Sequence, residues 1–320
     1  MVKILQIYTK SKTVYGELGS SPWWPTNITY QDISTMKISD ILRNKEITIS
    51  CEIFPPKICS ELDKSRQVVS DIAKLSPDFI SVTYGAAGTT ASFTSELAEE
   101  VENSGIAALA HVTCVSSDES SLNTYLNTLT EHGIENILAL RGDMPQGNEP
   151  KNIYTHASDI VQAIKSKGDF CVGGACYPEG HPESTTISAD IDNLKIKAES
   201  GCEFFTTQMF FDNEVMYSFL SKFQRKGINT PVIAGIMPIT SARQLQRSVS
   251  LSGTSVPRSL REMVERFGDN PSAMKQAGIA YATNQIVDLI ANGVNNIHIY
   301  AMNKPDIAAK IIDNISSIRN

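Results

Sequence analysis

Glu52 stands in the stretch TISCEIFPPK (48–57), where apolar and polar residues alternate until two prolines end the run. A carboxyl at the tip of a buried strand loses water on most sides. Its charged form is penalised, its pKa rises, and it becomes a candidate general acid near neutral pH. An ion pair with Arg141 is the structural alternative. Other polar residues share this placement at the ends of apolar runs. Thr83, Tyr84 and Gly85 close the second run, and His111 and Thr113 lie in the third. Arg141, Gly142 and Asp143 close the fourth, and Tyr177, Pro178 and Glu179 close the fifth, with His181 just beyond. Gln208 and Asp212 belong to the sixth, Tyr300 and Asn303 to the last. Any one of these could be an inward polar group satisfied by its neighbours. Polar groups at the same end of nearly every run point to one shared site.

The elements that must position them follow from periodicity. Strands are expected at 47–54, 79–84, 107–114, 136–141, 171–177, 204–211, 232–237 and 296–302. Between them lie segments with apolar residues at helical spacing, such as Leu62, Val69, Ile72 and Leu75, or Leu122, Leu126 and Leu129 before Gly133. Strands alternating with helices pair in parallel through right-handed crossovers. Eight such units predict an α/β fold, a (β/α)₈ barrel, in which chemistry gathers at the carboxyl ends of the strands. An open doubly wound sheet is the alternative; neither GxGxxG nor GxxxxGK[ST] follows any strand. The long connection between strands 7 and 8 accommodates an extra helix at 259–268, followed by a final helix over 271–293. Residues 1–35, with Trp23, Trp24 and many turn formers, form an N-terminal extension distinct from the barrel domain at 36–320.

Bulk properties narrow the classes further. The chain has 320 residues, 41% of them hydrophobic, and a formal net charge of −7. It lacks a basic run beside aromatics, which argues against nucleic acid or an anionic membrane as partner. No apolar run is long enough to span a bilayer. Six cysteines without a CxxC motif read as reduced thiols in a cytoplasmic protein.

Six motifs, SCEIFPPK, FISVTYGAAGTT, AHVTC, ALRGDMPQG, CYPEGHPES and TTQMFFD, occur in this order. Together they resemble bacterial-type methylenetetrahydrofolate reductase, from about Met36 to the C-terminus. The resemblance implies an FAD-containing barrel. Its flavin takes a hydride from NADH or NADPH and passes it to 5,10-methylenetetrahydrofolate, giving 5-methyltetrahydrofolate by a ping-pong scheme that serves methionine synthesis and one-carbon metabolism. Homo-oligomers are expected by the same resemblance.

It also implies roles. Glu52 matches the catalytic acid that protonates a folate nitrogen. Asp143 matches an aspartate beside flavin and folate. Gln208, Gln244, Tyr300 and Lys304 match substrate-binding positions. Thr83, Tyr84, His111, Arg141, Gly142, Asp143, Tyr177, His181, Asp190, Asn193 and Lys197 match FAD-binding positions. Arg141 and Lys197 suit a diphosphate, and Asp190, Asn193 and Lys197 share one helix face at i, i+3, i+7. Three positions depart from the family pattern: Ile196 and Lys304 where arginines are typical, and Ser248 where a phenylalanine shapes the substrate site. Lysine keeps the charge at 304 but loses the bidentate fork.

Two other readings compete. One is a flavin-binding barrel subunit of a methyl-transfer complex without this hydride chemistry. The other is a zinc-dependent methyltransferase using Cys171, Cys176 and His181. Cysteines five apart on one strand face opposite sides, which opposes shared ligation.

Overall fold

The computed structural model describes residues 37–84, 91–142 and 153–319. The N-terminal extension, Gly85 and Asp143 lie outside these residues. Helix α1 (Ile38–Asn44) leads into β1 (Thr48–Ile53), followed by α2 (Leu62–Ala73), β2 (Phe79–Val82), α3 (Ala91–Asn103) and β3 (Ala107–Thr113). Next come α4 (Glu119–Glu131), β4 (Asn136–Leu140), α5 (Ala157–Lys167), β5 (Cys171–Cys176), α6 (Ile187–Glu199) and β6 (Phe204–Thr207). The chain continues through α7 (Asn213–Arg225), β7 (Val232–Ile236), α8 (Ala242–Ser252), α9 (Arg258–Phe267), α10 (Pro271–Ala291) and β8 (Asn296–Ile299). Helices α11 (Pro305–Asn314) and α12 (Ser316–Arg319) follow.

The eight strands pair in sequence order and close, with β8 parallel to β1. This is the expected (β/α)₈ barrel. Side-chain alternation sorts each strand into two faces. On β1, Ile49, Cys51 and Ile53 join the large outer core beneath the helices, whereas Ser50 and Glu52 occupy the other parity and face the barrel interior. Cys171 and Cys176 likewise fall in different clusters, the first inside the barrel and the second in the outer core.

Helix starts carry side-chain caps where the sequence supplies them. Asp118, Thr186, Asp212, Ser241 and Asn270 each accept a backbone N–H from the first turn of α4, α6, α7, α8 and α10. The insert read at 259–268 is α9, and three helices fill the connection between β7 and β8. Strand 6 is shorter than the apolar run at 204–211 suggests. Gln208 still donates its N–H to Cys176 at 2.8 Å. Beyond it, Met209 and Phe211 leave the sheet to pack with Ile239, Leu245, Leu260 and Met274. Their hydrophobicity serves the cluster that seats α8 to α10 beside the barrel mouth, not a ladder.

The opposite end is sealed. Ile38 and Ile41 of α1 pack on Phe79, Leu109, Leu138, Phe204 and Ile233, which point inward from five strands. The Ile38 N–H donates to Asn136 Oδ1 at 2.8 Å, fixing the plug to β4. Burying each isoleucine contributes about 1.5–3 kcal/mol.

Candidate active site

The carboxyl ends of the strands surround a cavity of about 730 Å³. Eleven of the residues expected at the site line it: Glu52, Thr83, Tyr84, His111, Arg141, Gly142, Tyr177, His181, Lys197, Gln208 and Tyr300.

Glu52 keeps some exposure to the cavity, but among the described residues it has no hydrogen-bond or ion-pair partner. Desolvation pushes its carboxyl up to about 8, so it is mostly protonated at neutral pH. The ion pair with Arg141 is not formed; Arg141 instead forks onto Glu183, with Nη2 donating at 2.9 Å and Nη1 donating to the second carboxylate oxygen. Glu52 therefore remains a neutral acid facing the cavity.

Tyr300 lies beside it. Its hydroxyl reaches across β7 and donates to the Thr207 carbonyl at 2.6 Å. Gly235 on β7 makes room: a Cβ there would stand 2.6 Å from the tyrosine ring and 2.5 Å from the Thr207 carbonyl oxygen. Burial, reinforced by the neighbouring Glu52 once that carboxyl ionises above about pH 8, raises the Tyr300 hydroxyl well above its usual range. Tyr300 thus stays neutral. Below it, His298 is held by Ser50 Oγ at 2.8 Å and Ser81 Oγ at 3.3 Å, and stacks on Phe79. Burial lowers His298 to about 3, so this imidazole is neutral.

Donors gather on the opposite wall. His111 is 4% exposed, and its Nε2 has no partner among the described residues. Burial, with His298 nearby, lowers it to about 3. Lys197 donates to the Ala175 carbonyl at 2.8 Å, and burial lowers its ammonium pKa. His181 accepts the Glu183 N–H at Nδ1 and meets Tyr177 edge to face at 4.7 Å. Burial and the Arg141 charge lower its pKa. Gly142 has φ +84°, and a Cβ there would lie 2.8 Å from Thr113 Cβ, so only glycine keeps this wall close. An unpaired buried imidazole nitrogen, two cations and a glycine-lined wall fit a planar, anionic cofactor such as FAD.

Other expected residues stand apart from the cavity. Gln244 Oε1 accepts from Thr240 N at 3.0 Å and from the Thr240 hydroxyl at 3.1 Å, its Nε2 donates to the Pro238 carbonyl at 3.0 Å, and Lys304 donates to that hydroxyl at 3.4 Å. These two residues form a separate group on the β7–β8 rim. Asp190 is buried and braces the β5–α6 loop by accepting from His181 N at 3.2 Å and Ser184 Oγ at 3.0 Å. Asn193 is exposed. Among the departures, Ser248 is buried, and Ile196 is 53% exposed outside the cavity lining. Asp212 caps α7, Glu179 accepts from Ser255 N, and Asn303 holds the Phe54 backbone, so each of these polar residues has a structural use.

Sequence reading passed over His298, Ser81, Thr206, Glu183 and Leu251 of the lining. Parity could have found His298, which shares a face with Tyr300 two residues on. Glu183 and Leu251 had no periodic signal to reveal them.

The sequence profile of the methylenetetrahydrofolate reductase family matches residues 37–316. A 5,10-methylenetetrahydrofolate reductase of Buchnera aphidicola subsp. Schizaphis graminum is 36% identical over 88% of this chain and 96% of its own. The protein of that name from Escherichia coli K12 is 31% identical, over 83% of this chain and 90% of its own. Methylenetetrahydrofolate reductase (NADH) 1 of Arabidopsis thaliana is 31% identical, over 88% of this chain and 50% of its own. A solved structure of an uncharacterized Clostridium thermocellum protein that binds two copies of 5-methyl-5,6,7,8-tetrahydrofolic acid superposes with a TM-score of 0.61. It is 18% identical and covers 89% of this chain and 99% of its own, a likeness of fold. With this agreement along nearly the whole barrel, the chain belongs to the methylenetetrahydrofolate reductase family.

Proposed function

We propose that this oxidoreductase reduces 5,10-methylenetetrahydrofolate to 5-methyltetrahydrofolate, with NADH or NADPH as donor and FAD as the resident carrier, the two substrates using the site in turn. The observation that carries this reading is the unpartnered Glu52 carboxyl, raised to about 8 and facing the cavity. FAD, when bound, supplies the hydride relay between nicotinamide and folate.

The chain's own residues divide the remaining work. Glu52 delivers a proton to a folate nitrogen, opening the methylene bridge to the iminium that accepts hydride. General acid catalysis of this kind contributes about 10²–10⁴-fold. Tyr300, locked to the Thr207 carbonyl, forms the wall beside that acid. Gln208 uses its Oε1 internally on the Met209 N–H at 2.9 Å, and its amide nitrogen remains to donate to substrate. Arg141 and Lys197 suit the diphosphate, His111 Nε2 and the Gly142 backbone suit the ring system, and Thr83, Tyr84, Tyr177 and His181 line its path. Asp190 acts on the cofactor through the loop that carries His181. Asp143, by resemblance, biases the flavin and the iminium electrostatically. Gln244 and Lys304 bind the outer part of the folate at the rim.

The visible spectrum tests this. The purified protein should be yellow, bleach under anaerobic NADH or NADPH, and recover its colour on addition of methylenetetrahydrofolate. A colourless protein that takes up no added FAD overturns the proposal.

A further inference from the structure

Glu183 occupies the loop between β5 and α6, and its carboxylate meets both terminal nitrogens of Arg141. Its backbone N–H donates to His181 Nδ1 at 3.1 Å, so the loop is tied to a second cavity residue. The Glu183 side chain is 61% exposed, whereas that of Arg141 is 33% exposed. The hydrogen bond and charge of Arg141 hold the Glu183 carboxyl below its usual range, so the pair is fully ionised at neutral pH. An ion pair this open to water contributes little stability, and its separation costs correspondingly little.

The consequence lies in charge. Among the described residues lining the cavity, the lysine and arginine side chains are Lys197 and Arg141. Lys197 already donates to a backbone carbonyl, and burial disfavours its charged form. Arg141 therefore carries most of the attraction for an anionic group, and Glu183 offsets it.

Resting on the flavin reading above, we infer that Glu183 is an internal competitor for the cofactor's diphosphate and sets how tightly FAD is held. A diphosphate that takes both terminal nitrogens of Arg141 must displace the carboxylate. One that approaches the guanidinium without displacing the carboxylate meets a charge already offset. Both routes lower FAD affinity, and both depend on the negative charge of Glu183 rather than its size. A riboflavin, which carries no phosphate, is blind to it.

The test is Glu183→Gln, with Glu183→Ala beside it, in the full chain freed of flavin. Flavin fluorescence gives the Kd for FAD and, separately, for riboflavin. Both variants should bind FAD about 2–5-fold tighter at low salt, the range that an exposed ion pair supports. The gain should shrink in 0.5 M salt, roughly where screening confines charges to a few ångström, while riboflavin affinity stays unchanged. Equal or weaker FAD binding by the variants overturns the inference and makes Glu183 a support that holds Arg141 in place. A wild-type chain that binds no FAD sinks the flavin reading itself, a different result.

Discussion

The two ends of the barrel are built on the same strands and diverge completely. At the amino end, inward positions carry Phe79, Leu109, Leu138, Phe204 and Ile233, and α1 closes over them with Ile38 and Ile41. Further along β2, β3 and β6, the inward positions become Ser81, His111 and Gln208, which share a cavity with Glu52 of β1 and Tyr300 just after β8. Parity is unchanged; chemistry switches within two or four residues. The sealed end stabilises by excluding water from apolar surface. The open end uses that dry base to leave a carboxyl without its charge and two imidazoles neutral. Perturbed groups of this kind are tolerable only because the other end contributes enough stability to offset them.

Substitutions that touch one end and spare the other sharpen this contrast. The largest effect is expected from Glu52→Gln, which should cut folate reduction by about 10²–10⁴-fold, the range of general acid catalysis. Flavin reduction by the nicotinamide donor should remain near wild type, because it needs no acid at folate. Stopped-flow measurement of the separate half-reactions decides; equal damage to both would make Glu52 structural. At the sealed end, Ile38→Ala should cost about 2–5 kcal/mol in denaturant unfolding, with kcat preserved below the unfolding transition. A kcat loss matching that of the cavity variants would mean the two ends are not separable.

The subtlest contrast is in pH. Glu102 near the amino end is also raised to about 8, by burial, with Glu135 adding to the rise and the Ala108 N–H opposing it. Both carboxyls therefore hold a proton in the folded chain that the unfolded chain has released above about 4.5. Below about 6.5 the two neutral imidazoles, His111 and His298, act in the opposite sense and offset this, so stability should fall as pH rises from about 6.5 to about 8 and level off above it. Glu52→Gln and Glu102→Gln should each flatten that decline in urea midpoints. Only Glu52→Gln should also remove the loss of folate reduction above about pH 8. Matching pH–activity profiles in the two variants would break the distinction.

Much of this was legible because alternation and helix spacing are local signals. All eight expected strands are present, as is the insert at α9. Glu52 stood out because a carboxylate in an apolar run violates the pattern around it. The overestimate at β6 arose because Met209 and Phe211 are hydrophobic for a cluster of distant helices, which no window around them reveals. The i, i+3, i+7 face of α6 is divided among three environments. Lys197 reaches the cavity, Asp190 is spent on its own loop, and Asn193 faces solvent. Gln244 and Lys304 meet at Thr240 because β7 and β8 are adjacent in a closed barrel. Glu183 was invisible because its partner lies 42 residues away in an irregular loop.

The side chain of Asn303 grips the backbone of Phe54 twice, accepting its N–H at 3.0 Å and donating to its carbonyl at 2.9 Å across 249 residues of sequence. Met302 and Asn303 both adopt positive φ to present that amide. Glu52, two positions before Phe54, thus has its backbone anchored by a segment that is synthesised only after all eight strands. Until the turn after β8 is made, a nascent chain lacks the clamp that fixes the backbone beyond β1.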